Sequence, residues 1–371
     1  MRIVRSKKGA DLREQVGQLL LMGFDGTEVT ARLRSTFAAL QPGGVILFAR
    51  NITGAQQTWT FLREAQKCVK TPAFLCVDME GGTVDRLKNV IAPAPAAADV
   101  ASSGNRKLFR MHGRVLGAEC RALGFNVDFT PVVDVGFEQS RSVLTSRTAG
   151  DDPAAVVAYA REVLRGLADV GVLGCGKHFP GLGEANLDTH KELPVINKPA
   201  ARLYTEDLYP YKVLHRQMPF IMVAHAAYPA VTKDNCPASL SKKWLCDILR
   251  KRIGYRGLIM ADDLEMGGVL AAASIEDAAI ETLRAGSDIF PVCHSEEKVW
   301  ATYEAVLSAA ERDRKFAQAI AEKSRRVVQL KNKTRALKRA TPAPTQQVLD
   351  RLRRQIWELF EEVRMVAVAS A

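Results

Sequence analysis

The sequence predicts a (β/α)8 TIM barrel, a single α/β domain in which eight parallel strands alternate with helices, followed by a C-terminal helical extension. Short, almost continuous apolar runs alternate with longer amphipathic segments, a pattern typical of a parallel sheet covered by helices. Eight such runs lie between residues 18 and 293, the number that closes a barrel. Polar residues follow several of the runs, and the carboxyl ends of the strands carry the chemistry in barrel enzymes.

Each of the eight runs is short and apolar, as expected of a buried strand. Amphipathic helical patterns separate most of them, for example Arg106–Leu123 and Pro153–Val170. A doubly wound open sheet is the alternative, but it needs a glycine-rich phosphate-binding turn after the first strand, which Gly23–Gly26 matches poorly. The predicted strands are Gln18–Gly23, Gly44–Phe48, Ala73–Asp78, Asn126–Pro131, Val172–His178, Phe220–His225, Gly257–Asp262 and Asp288–Cys293.

The chain is predicted to divide into a catalytic barrel, residues 1–340, and an extension, residues 341–371. A proline-containing stretch, Thr341–Thr345, separates a basic helical pattern from a final amphipathic one. We expect this last segment to pack back on the barrel, with a dimer contact as the alternative, so the protein is predicted to be a monomer or a homodimer. The apolar residues at helical spacing in this segment are Leu349, Leu352, Ile356, Leu359 and Val363.

The net charge of +11 can indicate nucleic acid, an anionic surface or acidic ligands as partners. Much of the excess lies between Lys315 and Arg339, where no aromatic residue follows Phe316 to stack on bases. A solvated helix face is therefore the preferred interpretation, and no nucleic-acid partner is expected. No apolar run approaches the length of a transmembrane helix, so no membrane partner is expected either.

The seven cysteines are odd in number, widely spaced and without a CxxC motif. This pattern favours reduced thiols, a cytoplasmic setting and no zinc knuckle. The basic N-terminus precedes a short apolar stretch that resembles a signal peptide, but Asp11 and Glu14 interrupt it and no cleavage site of small residues follows.

One stretch, KHFPGLGEANLDTH at residues 177–190, concentrates groups that can carry chemistry. Lys177 and His178 lie at the predicted end of a strand, and the proline and glycines that follow require a loop. In an extended segment Asp188 and His190 point to the same side, so the carboxylate can hold one ring nitrogen and support the imidazolium. Such a pair suits general acid–base catalysis, although a local hydrogen bond or a solvated turn is the commoner role of an Asp-x-His sequence.

Charged residues also follow other predicted strands, and the strongest candidate among them is Asp262. It ends an apolar run, where a carboxylate can attack a sugar carbon, ligate a metal or bind a cation. Because neither HxH nor HxxxH occurs, no metal site and no cofactor are expected. Strand termination alone is the alternative explanation, and convergence at one barrel mouth makes it less attractive. The other strand-end residues are Asp78, Glu80, His225 and Asp263.

A series of ordered motifs resembles the glycoside hydrolase family 3 β-N-acetylglucosaminidases, in particular the single-domain cytosolic type that recycles cell-wall muropeptides. The resemblance covers about residues 12–335, and the order of the motifs makes it specific. The motifs are GQLLLMGFDG near the start, VDMEGGTVDRL at 77–87, NVDFTPVVDV at 126–135, SRTAGDDP at 146–153, KHFPGLGEANLDTH at 177–190, MVAHAAYPAV at 222–231 and IMADDLEMGG at 259–268.

The resemblance implies a role for each matching residue. Asp262 matches the catalytic nucleophile, His190 the acid/base, and Asp188 the partner of that histidine. It further implies a carbohydrate substrate, GlcNAc-anhydroMurNAc with or without peptide. Three positions depart from the family pattern, with Met79, Thr83 and Leu182 in place of Gln, Arg and His. The residues that match positions holding the sugar hydroxyls and the N-acetyl group are Asp78, Arg86, Arg147, Lys177 and His178.

A retaining glycosidase needs a nucleophile and an acid/base residue at one sugar. An imidazole suits the second role because its ordinary pKa of about 6.5 lies near working pH. A sugar-binding or sensor protein on an inactive barrel is the rival hypothesis, but it would have lost Asp262 or His190, and both are present. A phosphate-handling isomerase would need a glycine-rich anion site after the last strand, where the chain has His294–Glu297 instead. Phosphorolysis beside hydrolysis stays open.

Overall fold

The central element is a sheet of eight parallel strands, seen in a computed structural model that describes residues 7–338 and 340–370. A separate two-stranded antiparallel hairpin, β4 with β5, lies between the third and fourth of these strands in the chain. In chain order the strands are β1 (Leu20–Met22), β2 (Gly44–Ile46), β3 (Phe74–Val77), β4 (Met79–Gly81), β5 (Val84–Asp85), β6 (Val127–Asp128), β7 (Leu173–Phe179), β8 (Phe220–Val223), β9 (Leu258–Ala261) and β10 (Phe290–Val292).

The large sheet closes on itself. Its strands follow the order β10-β1-β2-β3-β6-β7-β8-β9. The two ends meet where Met260 bridges Ile289 in parallel and the Ile289 N–H donates to the carbonyl of Ile259 at 3.2 Å. The predicted (β/α)8 barrel is confirmed, and each of the eight predicted runs coincides with one strand. Seven of these strands are shorter than their runs, and β7 instead continues one residue past its run, to Phe179.

Helices surround the barrel, and local sequence sets their ends. The longest predicted patterns are confirmed as α5, capped by Asn105, and α7, which follows the Asp152 cap and Pro153. The α-helices are α1 (Lys7–Gly17), α2 (Ala31–Leu40), α3 (Ala55–Lys67), α4 (Ala97–Ser102), α5 (Arg106–Leu123), α6 (Arg141–Leu144), α7 (Pro153–Asp169), α8 (Ala200–Thr205), α9 (Tyr209–Leu214), α10 (Pro229–Thr232), α11 (Gly267–Leu270), α12 (Ile275–Ala285), α13 (Glu296–Arg312), α14 (Arg314–Lys333), α15 (Arg335–Lys338) and α16 (Gln346–Ser370), with a π-helix at Lys243–Ile253.

The basic segment near the C-terminus is helix α14, and the prediction that it is a solvated face is wrong in part. Lys331 is buried, donates to Gln18 Oε1 at 2.8 Å and lies over the ring of Phe74. Arg326 pairs with the buried carboxylate of Asp288 at 2.6 Å. These charges turn inward because they satisfy polar groups that would otherwise be buried without partners. They attach α14 to the end of the barrel opposite the site.

The C-terminal helix α16 packs back on the barrel, as predicted. All five apolar residues predicted for its inner face are buried and belong to the main hydrophobic core. Arg353 adds a polar contact, since its Nε donates to the carbonyl of Ile91 at 2.9 Å. The division of the chain at residue 340 and the oligomeric state stay predictions.

The seven cysteines all carry free thiols, as the spacing predicted. Burial raises the pKa of several of them, including Cys76 and Cys175, so these thiols act as small apolar groups rather than nucleophiles. Within the described ranges, no helix combines the length and the apolar character needed to cross a bilayer.

Candidate active site

A cavity of about 290 Å³ opens at the carboxyl ends of the barrel strands. Its walls come from segments that follow several different strands, as expected of a site at a barrel mouth. The structure therefore brings together side chains that are far apart in the chain, although their roles stay predictions. All eight residues to which the resemblance assigns a role line this cavity: Asp78, Arg86, Arg147, Lys177, His178, Asp188, His190 and Asp262.

A buried carboxylate, Glu80, organises one wall of the cavity. Its Oε1 lies 2.6 Å from Lys177 Nζ, and Arg147 donates to both of its oxygens, from Nε at 2.8 Å and from Nη2 at 2.9 Å. Lys177 Nζ also donates to Asp78 Oδ1 at 2.7 Å. The two cations and two carboxylates balance in charge, so they hold one another at fixed positions facing the cavity.

Mutual contact keeps this wall ionised although it is buried. Burial alone would raise the pKa of Glu80, but Arg147 and Lys177 hold it well below the usual range. Burial would likewise lower the pKa of Lys177, and Asp78 and Glu80 raise it instead. Both groups therefore carry their charges across the physiological pH range.

His178 is fixed by a second buried carboxylate, Asp134, which sequence reasoning did not assign to the site. The ring Nδ1 lies 2.7 Å from Asp134 Oδ2, and the backbone N–H of His178 also donates to this carboxylate. Asp134 Oδ1 further accepts from the N–H of Leu182 at 2.9 Å. The other ring nitrogen, Nε2, lies 3.4 Å from Arg147 Nη2. Asp134 thus ties His178 and the start of the following loop to the barrel.

Asp262 directly follows β9 and lies at the bottom of the cavity. Its Oδ1 accepts from the N–H of Asp263 at 2.9 Å. Burial opposes ionisation, but the neighbouring His178 and His225 and this backbone N–H lower the pKa of Asp262 below its ordinary value. A partly buried, ionised carboxylate such as Asp262 is a group that can attack an electrophilic carbon.

Asp188 and His190 stand at the rim of the same cavity. Asp188 Oδ1 lies 2.8 Å from His190 Nδ1 and also accepts from the His190 backbone N–H at 3.0 Å. The predicted contact is confirmed, but it arises from a turn and not from an extended segment. Burial would raise the pKa of Asp188, and the contacts with His190 lower it overall. The histidine side chain is 70% exposed, so it can meet substrate and solvent.

The loop between β7 and the pair is closely fitted to the barrel. Gly176 lies within β7, where a Cβ would meet Met218, so it belongs to the barrel and not to the loop. At Gly183 a Cβ would lie 2.3 Å from the carbonyl oxygen of Val135, so the glycine allows a close approach of two backbones. Beyond the pair, the carbonyl of His190 accepts from the N–H of Gly267 at 2.9 Å.

Sequence patterns of known proteins now identify the family. The model of the glycosyl hydrolase family 3 N-terminal domain matches residues 11–330. This chain belongs to glycosyl hydrolase family 3. It is 39% identical over 283 residues to a β-hexosaminidase of Bordetella parapertussis, an alignment that covers 74% of this chain and 79% of the relative. The resemblance drawn from the ordered motifs is confirmed, and the chain is a glycoside hydrolase.

Solved structures of the family share the fold. A glycoside hydrolase family 3 β-N-acetylglucosaminidase from Paenibacillus sp. str. FPU-7 superposes with a TM-score of 0.87 at 29% identity, over 94% of this chain and 68% of that chain. NagZ from Neisseria gonorrhoeae, in complex with N-trifluoroacetyl-D-glucosamine, superposes with a TM-score of 0.70 at 28% identity. That alignment covers 83% of this chain and 98% of NagZ.

Proposed function

We propose that this family 3 enzyme is a retaining β-N-acetylglucosaminidase that removes terminal, non-reducing GlcNAc through a covalent glycosyl-enzyme. One observation supports this most directly: an ionised carboxylate, Asp262, lies at the bottom of the cavity that has the Asp188–His190 pair at its rim. These are the two kinds of group that the retaining mechanism requires. The names of the similar proteins, β-hexosaminidase and β-N-acetylglucosaminidase, agree with the proposed sugar.

In the first proposed step, Asp262 attacks the anomeric carbon while the bond to the leaving oxygen breaks. His190 gives a proton to that oxygen. Because Asp188 holds Nδ1 of the ring, Nε2 is the nitrogen that serves the substrate. In the second step, the now neutral imidazole takes a proton from water, which attacks the anomeric carbon and releases Asp262. The two inversions together retain the configuration of the sugar.

The ionised wall around Glu80 is proposed to bind the sugar. Lys177 and Arg147 can donate to hydroxyl or carbonyl oxygens, and Asp78 can accept from hydroxyl groups. Arg86 and His178 complete the proposed binding set, each lining the same cavity. The cavity volume of about 290 Å³ suits one sugar residue at the bottom, which agrees with removal of a terminal unit.

We propose GlcNAc-anhydroMurNAc, with or without peptide, as the natural substrate and the cytoplasm as the place of action, in cell-wall recycling. The NagZ structure holds N-trifluoroacetyl-D-glucosamine, which agrees with the N-acylated glucosamine unit of this substrate, and the seven free thiols agree with a reducing compartment. A direct assay would compare release of GlcNAc from this disaccharide with hydrolysis of aryl β-N-acetylglucosaminide and aryl β-glucoside. A clear preference for the β-glucoside would contradict the proposed sugar.

The nucleophile can be identified by substitution and by trapping. Asp262→Ala should remove nearly all turnover, whereas Asp263→Asn should still form a covalent intermediate on Asp262. A fluorosugar that slows the second step, followed by peptide mapping, measures where the label is attached. Label on Asp263 would contradict the assignment.

The acid role of His190 predicts a dependence on the leaving group. His190→Ala should slow cleavage of a disaccharide by about 10²-fold or more, because its leaving oxygen needs a proton. An aryl glycoside with an acidic phenol needs little such help and should be affected far less in its first step. The ratio of kcat/KM for the two substrates in wild type and variant measures the effect, and equal losses would remove His190 from the acid role.

A further inference from the structure

We propose that Glu184 positions the loop that carries Asp188 and His190, and that a buried cluster around Lys198 holds Glu184 in place. This inference rests on the function proposed above, because Glu184 would act only through His190. Glu184 lies in the same loop, between the glycine turn and the Asp-x-His pair. Its carboxylate points away from the cavity wall into a group of charges outside the site.

Lys198 is the centre of this cluster, and its side chain is fully buried. Its Nζ lies 2.5 Å from Asp207 Oδ2, 2.7 Å from Glu206 Oε2 and 3.4 Å from Glu184 Oε1. It also stands 3.9 Å above the centre of the Phe137 ring. Of these three carboxylates, that of Glu184 alone belongs to the loop, so its ion pair links the loop to the segment that leads into helix α8.

A second cation reinforces the link. Arg202 Nη2 lies 3.3 Å from Glu184 Oε1, and the same guanidinium forms two hydrogen bonds with Glu206 at 2.9 and 3.0 Å. Both Lys198 and Arg202 thus contact the same oxygen of Glu184. A carboxylate between two fixed cations has a defined position, because movement would separate it from both.

Close steric contact also fixes the loop against this cluster. Gly181 has a φ of +135°, and a Cβ there would lie 2.7 Å from Cβ of Asp207. The Tyr228 hydroxyl donates to the Gly181 carbonyl at 2.7 Å. At the far end, Gly268 donates its N–H to the Thr189 carbonyl at 3.0 Å. Glu184 supplies a charged side-chain contact between these two anchored ends, in the stretch that leads to the acid/base pair.

When Glu184 is neutralised, the positive and negative charges that remain in the cluster still balance. Burial raises the pKa of Asp207 to about 6, against the opposing effect of Lys198, so this carboxylate depends on its lysine. In a Glu184→Gln variant, Lys198 retains Asp207 and Glu206, and the buried lysine stays paired. The fold should therefore persist while the loop loses its ionic attachment.

We expect loss of the Glu184 contact to misplace His190, the proposed acid. General acid catalysis needs the proton donor within hydrogen-bonding reach of the leaving oxygen, about 2.6–3.2 Å. A shift of about 1 Å can lower a rate by as much as about 10²-fold. Loss of the Glu184 contact should therefore reduce turnover where protonation of the leaving group matters, and leave the attack by Asp262 intact.

The experiment compares Glu184→Gln with Glu162→Gln as a matched control. Both substitutions neutralise one largely buried carboxylate that pairs with an arginine, with 17% and 11% of the side chain exposed, but Glu162 lies on helix α7, outside both the loop and the cluster around Lys198. We expect Glu184→Gln to lower kcat/KM about tenfold on a GlcNAc disaccharide and less than about twofold on an activated aryl glycoside. Glu162→Gln should change each value by less than about twofold, and Glu184→Asp should recover part of the loss.

Equal losses on both substrates, or the same selective loss in Glu162→Gln, would overturn the proposal, because the effect would then not depend on the position of the loop. Measuring His190→Ala in the same assay separates the two hypotheses. A selective loss in His190→Ala with none in Glu184→Gln overturns this inference and leaves the proposed function standing. Equal losses in His190→Ala overturn the acid role, and the inference with it. Thermal midpoints of all variants show that each remains folded.

Discussion

Replacing Glu80 by glutamine should both destabilise the barrel and disable the proposed sugar site. The Glu80 side chain is 2% exposed, and it is the shared partner of Lys177 and Arg147. Glutamine keeps the shape of the side chain but leaves Lys177 paired with Asp78 alone and removes the carboxylate that Arg147 binds. Removing one partner of a buried ion pair costs about 3–5 kcal/mol, which for a domain of this size lowers the melting midpoint by about 4–6 °C.

Activity should fall for the same reason. Without Glu80, repulsion moves Lys177 and Arg147 away from the positions proposed to bind the sugar, and a displacement of about 1 Å can lower kcat/KM by about 10²-fold. Calorimetry measures the midpoint, and an aryl β-N-acetylglucosaminide assay below the midpoint measures kcat/KM. Both quantities should fall together, because the same contacts serve the fold and the site.

The pH dependence adds an independent check. The pKa of Glu80 is lowered in the folded protein, so its contribution is fully present above the unfolded pKa of about 4.3 and is lost as pH falls toward the folded value. The stability difference between wild type and Glu80→Gln should therefore stay constant from about pH 6 to 8 and narrow only in acid. A difference that shrinks near neutral pH would contradict the ionised triad.

A matched control exists on helix α3. Glu64 also pairs with one lysine and one arginine, Lys67 at 2.7 Å and Arg34 at 3.2 Å, but these three side chains are 31–61% exposed. Since solvent screens such pairs, Glu64→Gln should leave the midpoint and the activity nearly unchanged. The reasoning is refuted if Glu80→Gln has the same melting midpoint as the wild type, or if Glu80→Gln and Glu64→Gln lose the same free energy of unfolding.

Three further outcomes are expected. Ile356→Ala, at a fully buried site on α16, should lower the free energy of unfolding by about 2–5 kcal/mol and leave kcat within a few-fold. Trp357→Ala, at a neighbouring site that is 57% exposed, should lower it far less. A loss of kcat in folded Ile356→Ala would show that the helix shapes the site. Burial lowers the pKa of Lys331 to about 7, so between about pH 7 and 10 the unfolded chain binds more protons than the folded protein. The free energy of unfolding of the wild type should therefore rise with pH over this range. Denaturant titrations should show no such rise in Lys331→Met. In phosphate buffer, product analysis should find some sugar phosphate, because a neutral His190 does not repel the phosphate anion. Its share should be minor, because the charge of Lys177 is already neutralised by Asp78 and Glu80 and attracts phosphate only weakly. Hydrolysis alone at high phosphate would exclude phosphorolysis.

The fold could be predicted from sequence because it follows from a repeated local pattern. Apolar runs such as those around β3 and β9 are buried along their whole length, so they carry no alternation and indicate a parallel sheet. The ends of the strands were less predictable. β6 has only two residues, Val127–Asp128, within the six-residue predicted run Asn126–Pro131, and nothing in the apolar pattern of that run indicates so short a strand.

The site was predictable in its members and not in their connections. Asp262 and Lys177 stand at or near strand ends, which sequence shows, but the pairing of Lys177 with Glu80 joins β7 to the separate β4–β5 hairpin, across β6 in the sheet order. Asp134 was missed because it lies beyond the end of β6 in an apolar segment, with no catalytic signature of its own. The sequence nevertheless indicates a contact for Asp134, because an acidic residue in an apolar run must find a polar partner when it is buried.

The two histidines of one motif illustrate why contacts decide a role. His178 and His190 lie twelve residues apart in the loop stretch, and both line the cavity. In His178, Nδ1 is held by buried Asp134 and Nε2 faces the cation of Arg147, so a proton on Nε2 would meet a like charge. In His190, Nδ1 is held by a half-exposed carboxylate, Asp188, and the ring stands at the open rim. The surroundings therefore suit His178 to hold a substrate in place and His190 to exchange a proton with it.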